Sequence, residues 1–306
     1  MNVWTMRRRE DGQGTRVGAR GVMPGWAEGA VVPGLDSGPA ANVAVAEREG
    51  SPVVGELVLQ NLGAKPALLL AGELFEGGWQ HRALNHDVLL MPGQQLVASV
   101  SCVEHGRWQG EGVQIRRARR ASMMVRAAQT PAAGADRQGQ VWERVSRYDS
   151  AFGASPTASS VDHLDRGLEP GSGQVADQGE AIRDGVKAIR ALTGQRGVLI
   201  GLGGQPAFLE LFATTGGLRR NLRGQLEAAA LDAALLPQEF TPGRRVRRFV
   251  ASLAQAPLGD HIDADAGAGH ALASRSKYHE IRALAWDDHL VHATVFNRRH
   301  PLMEVA

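Results

Sequence analysis

Residues 72–90 read GELFEGGWQHRALNHDVLL and place Glu73, Glu76, Gln80, Arg82, Asn85 and Asp87 between two apolar runs, ALLLA (67–71) and VLLM (88–91). A hairpin that is merely solvated needs polar residues, but of no particular kind. Acids, amides and an arginine together offer specific chemistry. A guanidinium fork matches phosphate or carboxylate oxygens, and a carboxylate takes a proton or accepts from a hydroxyl. A second group follows in QQLVASVSCVEHGRW (94–108). Strand alternation puts Leu96, Ala98, Val100, Cys102 and Glu104 on one face. That face is apolar until its end, so Cys102 is expected to be buried, protonated and not catalytic. Glu104 then needs a partner or a wet cleft, because an unpaired buried carboxylate is costly.

Arg107 and Trp108 come immediately after, and Arg82 lies on the neighbouring hairpin. The candidate site is therefore Glu73 and Glu104 as catalytic acids, with Gln80, Arg82, Arg107 and Trp108 as binding residues. In it the arginines clamp an anionic group such as a phosphate. A glutamate serves as general base or holds ribose hydroxyls, and Trp108 stacks on a base. The same residues support equally a structural ion-pair network that locks two hairpins together.

Other motifs carry less. GLGGQP (201–206) follows a strand, but Pro206 stands where a dinucleotide loop needs its third glycine, so a hairpin turn is expected. DHIDADAGAGH (260–270) lacks the acid and glycine spacing of an EF-hand and reads as an acidic loop. No H-E-x-x-H or paired C-x-x-C occurs, and His289 and His292 fall on opposite faces of a strand, so no metal site is expected. The basic runs RRRE (7–10) and IRRARRAS (115–122) read as solvated faces without interleaved aromatics. No cofactor is indicated.

The 306 residues carry 34 basic and 32 acidic side chains, a balance that argues against nucleic-acid binding. With 43% hydrophobic residues, no apolar run long enough for a membrane helix and no visible signal peptide, the chain reads as globular, soluble and cytoplasmic. A single cysteine excludes an internal disulfide. Oligomeric state is not legible.

These residues need elements to position them. Short extended segments bounded by turns dominate residues 55–104 and predict an antiparallel, sandwich-like unit over residues 1–127. From Val141 the pattern becomes helical: Val141, Trp142, Val145 and Tyr148, then Ile182, Val186 and Ile189 after a breaker-rich loop at 154–179. Residues 197–212 predict a hairpin through Gly203–Gly204. A long helix with Leu218, Leu222 and Leu226 follows, capped at Thr214–Thr215, then one from Thr241–Pro242 with Val246, Phe249, Val250 and Leu253. A hairpin around Asp287–Asp288 closes a helix-and-hairpin half over 136–306. The class is α+β, and the two halves either share one core or stand as separate domains.

The run from LVLQN (57–61) to HGRW (105–108) resembles the ARG and rhodanese-phosphatase-superfamily-associated protein domain. That family's G-E-x-x-x-G-G-x-Q-x-R segment falls on Gly72, Glu73, Gly77, Gly78, Gln80 and Arg82. Its S-C-V-E-x-G-R-W segment falls on Ser101 to Glu104 and Gly106 to Trp108. The resemblance is weaker at 138–145 and 197–236, and loops 154–179 and 260–270 depart from it. It implies a place beside ADP-ribosylglycohydrolases and rhodanese-like phosphatases in NAD or ADP-ribose metabolism. The expectation is an enzyme acting on a nucleotide or ADP-ribose-like phosphorylated substrate. The alternative is a non-catalytic module that binds such a ligand or a partner protein through the same cluster. The two signature segments are expected to meet as adjacent hairpins.

Overall fold

The computed structural model describes residues 1–7, 34–38, 41–50, 52–129, 135–168, 184–254, 256–257, 259–287 and 289–303. Six strands, β3 (Val43–Ala46), β4 (Glu56–Asn61), β6 (Glu73–Gly77), β7 (Arg82–Leu84), β9 (Gln95–Cys102) and β10 (Val113–Arg120), close into a barrel in the order β10-β3-β4-β9-β7-β6. The expected sandwich is thus a closed barrel, every pair antiparallel. Closure follows from β10, which pairs with β3 through Gln114 and with β6 through Gln114 to Arg120, bending where Ala118 takes φ 54°. Full closure removes the exposed edges that two short sheets would keep. Alternate residues fill the inside: Val43, Val45, Leu57, Leu59, Phe75, Leu84, Leu96, Ala98 and Val100 form one core. A small sheet of β2 (Asp36–Ser37), β5 (Ala67–Leu69) and β8 (Val88–Leu90) flanks it.

The second half is a seven-stranded antiparallel sheet in the order β1-β11-β12-β16-β15-β14-β13. Its strands are β1 (Asn2–Arg7), β11 (Gln195–Leu202), β12 (Gln205–Phe212), β13 (Asp260–His261), β14 (His270–Arg275), β15 (His279–Trp286) and β16 (His289–Asn297). The hairpins at Gly203–Gly204 and before His289 stand where the turn residues put them. β1 was not legible: it pairs with β11 across nearly two hundred residues of sequence, so the amino-terminal residues belong to the second sheet. On β11, Val198, Ile200 and Leu202 face one core and Leu199 the other, the period of a sheet covered on both sides.

Helices cover both faces. α6 (Gly243–Leu253) lays Val246, Phe249, Val250 and Leu253 on Leu199, Leu209, Ile281 and Val295. Pro242, not Thr241, is its N-cap residue, while the Thr241 hydroxyl donates to the carbonyl of Gln205. On the opposite face, α1 (Met123–Ala128), α2 (Arg137–Ser146), α3 (Asp149–Phe152), α4 (Ser160–Leu168) and α5 (Thr215–Ala233) join barrel to sheet. Their shared core includes Leu74 and Ala83 from the barrel and Ile200, Phe208 and Phe296 from the sheet. α5 starts as expected, with the Thr214 hydroxyl accepting from the N–H of Gly217.

α4 falls inside the expected loop 154–179. Ser159 supplies its start by accepting from the N–H groups of Val161 and Asp162, and Val161 and Leu164 are buried. Residues 184–188 are helical with Val186 buried, whereas Ile182 and the basic run at 8–10 lie outside the described residues. No described helix is long and apolar enough to cross a membrane.

α1 is tied down by a buried acid. Asp232 of α5 accepts from the N–H groups of Met123 and Met124 and from the Tyr148 hydroxyl at 2.7 Å. Burial nevertheless pushes its carboxyl up to about 6. Tyr148→Phe removes one of these bonds from a dry site and is expected to cost about 1–2 kcal/mol, read by urea denaturation.

Candidate functional site

On β7, Arg82 shares a face with Leu84, which lies in the barrel core, so strand alternation drives the arginine into the barrel. It sits opposite Phe75 of β6 and Cys102 of β9. The side chain is fully buried, and burial lowers its pKa from the ordinary arginine value. None of its three guanidinium nitrogens has a hydrogen-bond partner among the described residues. Its Cζ lies 5.7 Å from the ring of Trp108, which is 46% exposed and meets Trp79 edge-on at 5.4 Å. A buried cation with unspent donors beneath an exposed indole is the sharpest feature of this end of the barrel.

Glu104 is in the opposite condition. Arg107 grips it with two bonds, Nε to Oε1 at 3.0 Å and Nη2 to Oε2 at 2.7 Å. The N–H of His81 and the Thr157 hydroxyl donate to it as well. Burial pushes its carboxyl up, but these donors together hold it below the ordinary value. Arg107 spends its remaining N–H groups on the carbonyls of Gly77, Gly78 and Gln109. The pair is a clamp that closes the turn 77–79 onto residues 104–109. Glu104→Gln is expected to cost about 2–3 kcal/mol, measured by chemical denaturation, because it leaves Arg107 facing a neutral amide.

Two residues not singled out in the sequence complete this mouth. Glu47 and Gln114 stand on neighbouring barrel strands or just beyond their ends, and Gln114 Nε2 donates to Glu47 Oε1 at 3.1 Å and to the carbonyl of Gln80 at 3.2 Å. Gln80 Nε2 donates to the carbonyl of Glu104 at 2.9 Å. Gly78, at φ 54°, makes room for them: a Cβ there would fall 1.9 Å from Gln114 Nε2. The structure therefore brings Gln80, Arg82, Glu104, Arg107 and Trp108 together, as adjacent hairpins joined by the β7–β9 pairing. Glu73 is not with them. It begins β6, whose far end carries Gly77, roughly 13 Å along an extended strand. There it pairs with Arg116 at 2.7 Å. Cys102 is buried, its thiol donates to the carbonyl of Glu104, and burial raises its pKa.

A second polar assembly lies where barrel and sheet meet, and sequence reasoning did not find it. His292 of β16 is fully buried between two carboxylates, with Nδ1 2.6 Å from Asp87 Oδ2 and Nε2 2.8 Å from Glu210 Oε2. Burial alone would lower its pKa, but the two acids raise it to about 9, so the ring is an imidazolium donating from both nitrogens. Glu210 also accepts from Thr294 and from Arg126 at 2.5 Å, and Arg120 stands 3.7 Å away. These cations hold the Glu210 carboxyl far below its ordinary value despite burial. Arg126 packs over the neighbouring rings of Phe208 and Phe296, its Cζ 4.9 and 5.4 Å from their centres.

Arg116 and Arg120 belong to the run expected to be a solvated face. Both point inward because β10 alternates and then bulges at Ala118, and Arg120 is buried deeply enough to lower its pKa to about 10. Gly72, at φ 80°, is required beside this assembly, since a Cβ would fall 2.4 Å from Arg126 Cδ. The assembly borders a pocket of about 280 Å³ lined by Asp87, His86, Thr294, Arg275, Glu280 and Arg282 among others. Among the described residues no group of His, Cys, Asp and Glu is arranged to hold a metal ion.

These features define a mixed α+β protein with a closed antiparallel barrel, a polar site at the barrel mouth and a charged junction against a helix-covered sheet. The sequence profile of the ARG and Rhodanese-Phosphatase-superfamily-associated Protein domain matches residues 22–296, and the chain belongs to that family. No curated protein and no solved structure matches it.

Proposed function

We propose that the barrel mouth binds a phosphorylated ligand of the nucleotide or ADP-ribose type, and that the chain acts first as a recognition module for it. The observation that carries this reading is Arg82, fully buried with its guanidinium donors unspent beneath the exposed ring of Trp108. A guanidinium desolvated with no partner is costly, and a phosphate is the group whose oxygens match its fork. An exposed indole beside it offers a face for a base to stack on. Glu104 favours binding over catalysis at this end, because every strong donor around it is already engaged.

The enzyme reading draws on a different observation, the pocket at the junction. Asp87 lines it with His292 bonded behind, an acid held ionised by an imidazolium. Turnover of a bound nucleotide that stops in Asp87→Asn and survives in Glu104→Gln would move the chemistry there. The family resemblance directs the choice of ligands for both readings.

The test is a thermal-shift screen of NAD, ADP-ribose and nucleoside phosphates on wild type and Arg82→Met. At 100 times its dissociation constant a ligand stabilises the fold by about 2.7 kcal/mol, a shift of about 4 °C for a chain of this size. Arg82→Met is expected to abolish the shift. Without ligand it is expected to leave the melting temperature unchanged or raised, since it removes a buried guanidinium whose donors no protein group accepts. An Arg82→Met protein that melts well below wild type, with no ligand shift in either, would make Arg82 structural.

A further inference from the structure

The hydrogen bonds at the barrel mouth leave a specific set of atoms over. Besides the three nitrogens of Arg82, the buried oxygens Glu47 Oε2, Gln80 Oε1 and Gln114 Oε1 have no partner among the described residues. The orientation of both amides is fixed by their neighbours. Gln114 Nε2 faces a carboxylate and a carbonyl, and Gln80 Nε2 faces a carbonyl, so turning either amide would set oxygen against oxygen. The three leftover oxygens are therefore true acceptors. They are also local. Gln114 touches both Glu47 and Gln80, and the field of Glu47 acts on Arg82. Buried polar atoms are nearly always satisfied, and six orphans in one place call for an occupant.

The orphans specify its chemistry. Arg82 asks for anionic oxygens, which an inorganic phosphate would supply. The three acceptors ask for three hydrogens, where a phosphate dianion carries one at most and a ring of hydroxyls has one on each. A carboxylate is a suitable acceptor for a ribose hydroxyl. We infer that the ligand enters the barrel with a terminal ribose 5-phosphate unit foremost, its phosphate on Arg82 and its three ring hydroxyls donating to Glu47, Gln80 and Gln114, which leaves a base linked through the phosphate outside at Trp108. This rests on the phosphorylated-ligand reading above and adds that the mouth selects the sugar.

The test is the affinity, by calorimetry, of the full chain for ribose 5-phosphate, 2-deoxyribose 5-phosphate and inorganic phosphate, with Glu47→Gln and Arg82→Met as variants. Glu47→Gln keeps shape and can keep the oxygen that Gln114 needs, but puts an N–H₂ where the ligand hydroxyl should donate. Ribose 5-phosphate is expected to bind about tenfold or more tighter than the 2-deoxy sugar, since a missing hydroxyl leaves a buried acceptor unpaired. Glu47→Gln should erase that ratio without weakening the 2-deoxy sugar. Equal affinity of the two sugars, or inorganic phosphate binding as tightly as ribose 5-phosphate, overturns the inference. So does Arg82-dependent binding of ADP-ribose with no binding of ribose 5-phosphate. In each of those cases the phosphorylated-ligand reading stands. No Arg82-dependent binding of any phosphate compound would overturn that reading itself.

Discussion

Glu210→Ala is expected to destabilise the protein by about 3–5 kcal/mol, the usual cost of removing one partner from a buried charge pair. For a chain of this size that lowers the melting temperature by about 5–8 °C. Glu210 is fully buried and stands between three cations: Arg126 at 2.5 Å, His292 at 2.8 Å and Arg120 at 3.7 Å. Arg126 cannot turn to water, because Phe208 and Phe296 hold it and its stem lies against Gly72. Removing the carboxylate therefore strands positive charge at the seam between barrel and sheet. Glu56→Ala is the matched control. Its partner Arg48 lies at a comparable 2.6 Å, but both side chains are more than a third exposed, and exposed pairs contribute about 0–1 kcal/mol. Equal effects of the two substitutions in equilibrium denaturation would mean that the junction contributes no more than an exposed pair.

The second large effect is in pH. His292 has a folded pKa raised to about 9 against 6.5 unfolded. A raised pKa means that the folded state holds the proton more tightly. The stabilisation is therefore complete below about pH 6.5 and is lost as pH rises through 9, about 3 kcal/mol in all. Asp232, raised to about 6, also loses stability with rising pH, but its loss is complete by about pH 7. Asp87 and Glu210, both lowered, lose stability only as pH falls below the ordinary carboxylate range. The window from pH 7 to 9 thus belongs mainly to His292. Urea denaturation of wild type is expected to show a falling stability across it. His292→Gln should be less stable at pH 7 and nearly flat from 7 to 9. A wild-type profile parallel to that of the variant would mean that His292 is neutral when folded.

Sequence reasoning read the elements well where side-chain periodicity and turn residues agree. The 197–212 and 279–297 hairpins, the helix capped by Thr214 and the apolar stripe Val246–Phe249–Val250–Leu253 all rest on local pattern. Pairing of distant segments has no such local signal. β1 joins β11, and β10 closes the barrel onto β3 and β6, and nothing in those segments names the partner. The site divides along the same line. Arg82, Glu104 and Arg107 were legible because β7 and β9 lie in neighbouring hairpins. Asp87, Glu210 and His292 come from three segments that only the tertiary fold brings together. The run 115–122 misled because a string of arginines looks solvated, while alternation around the bulge at Ala118 buries Arg116 and Arg120 and leaves Arg117 outside.

A crystal structure of the protein soaked with ADP-ribose shows whether the barrel mouth receives a phosphorylated ligand on Arg82. The expected result is a phosphate within hydrogen-bond distance of the Arg82 guanidinium, with Trp108 against the ligand and Glu104 still clamped by Arg107. Ligand density confined to the junction pocket beside Asp87 and Arg282, with the barrel mouth holding only water, would contradict it.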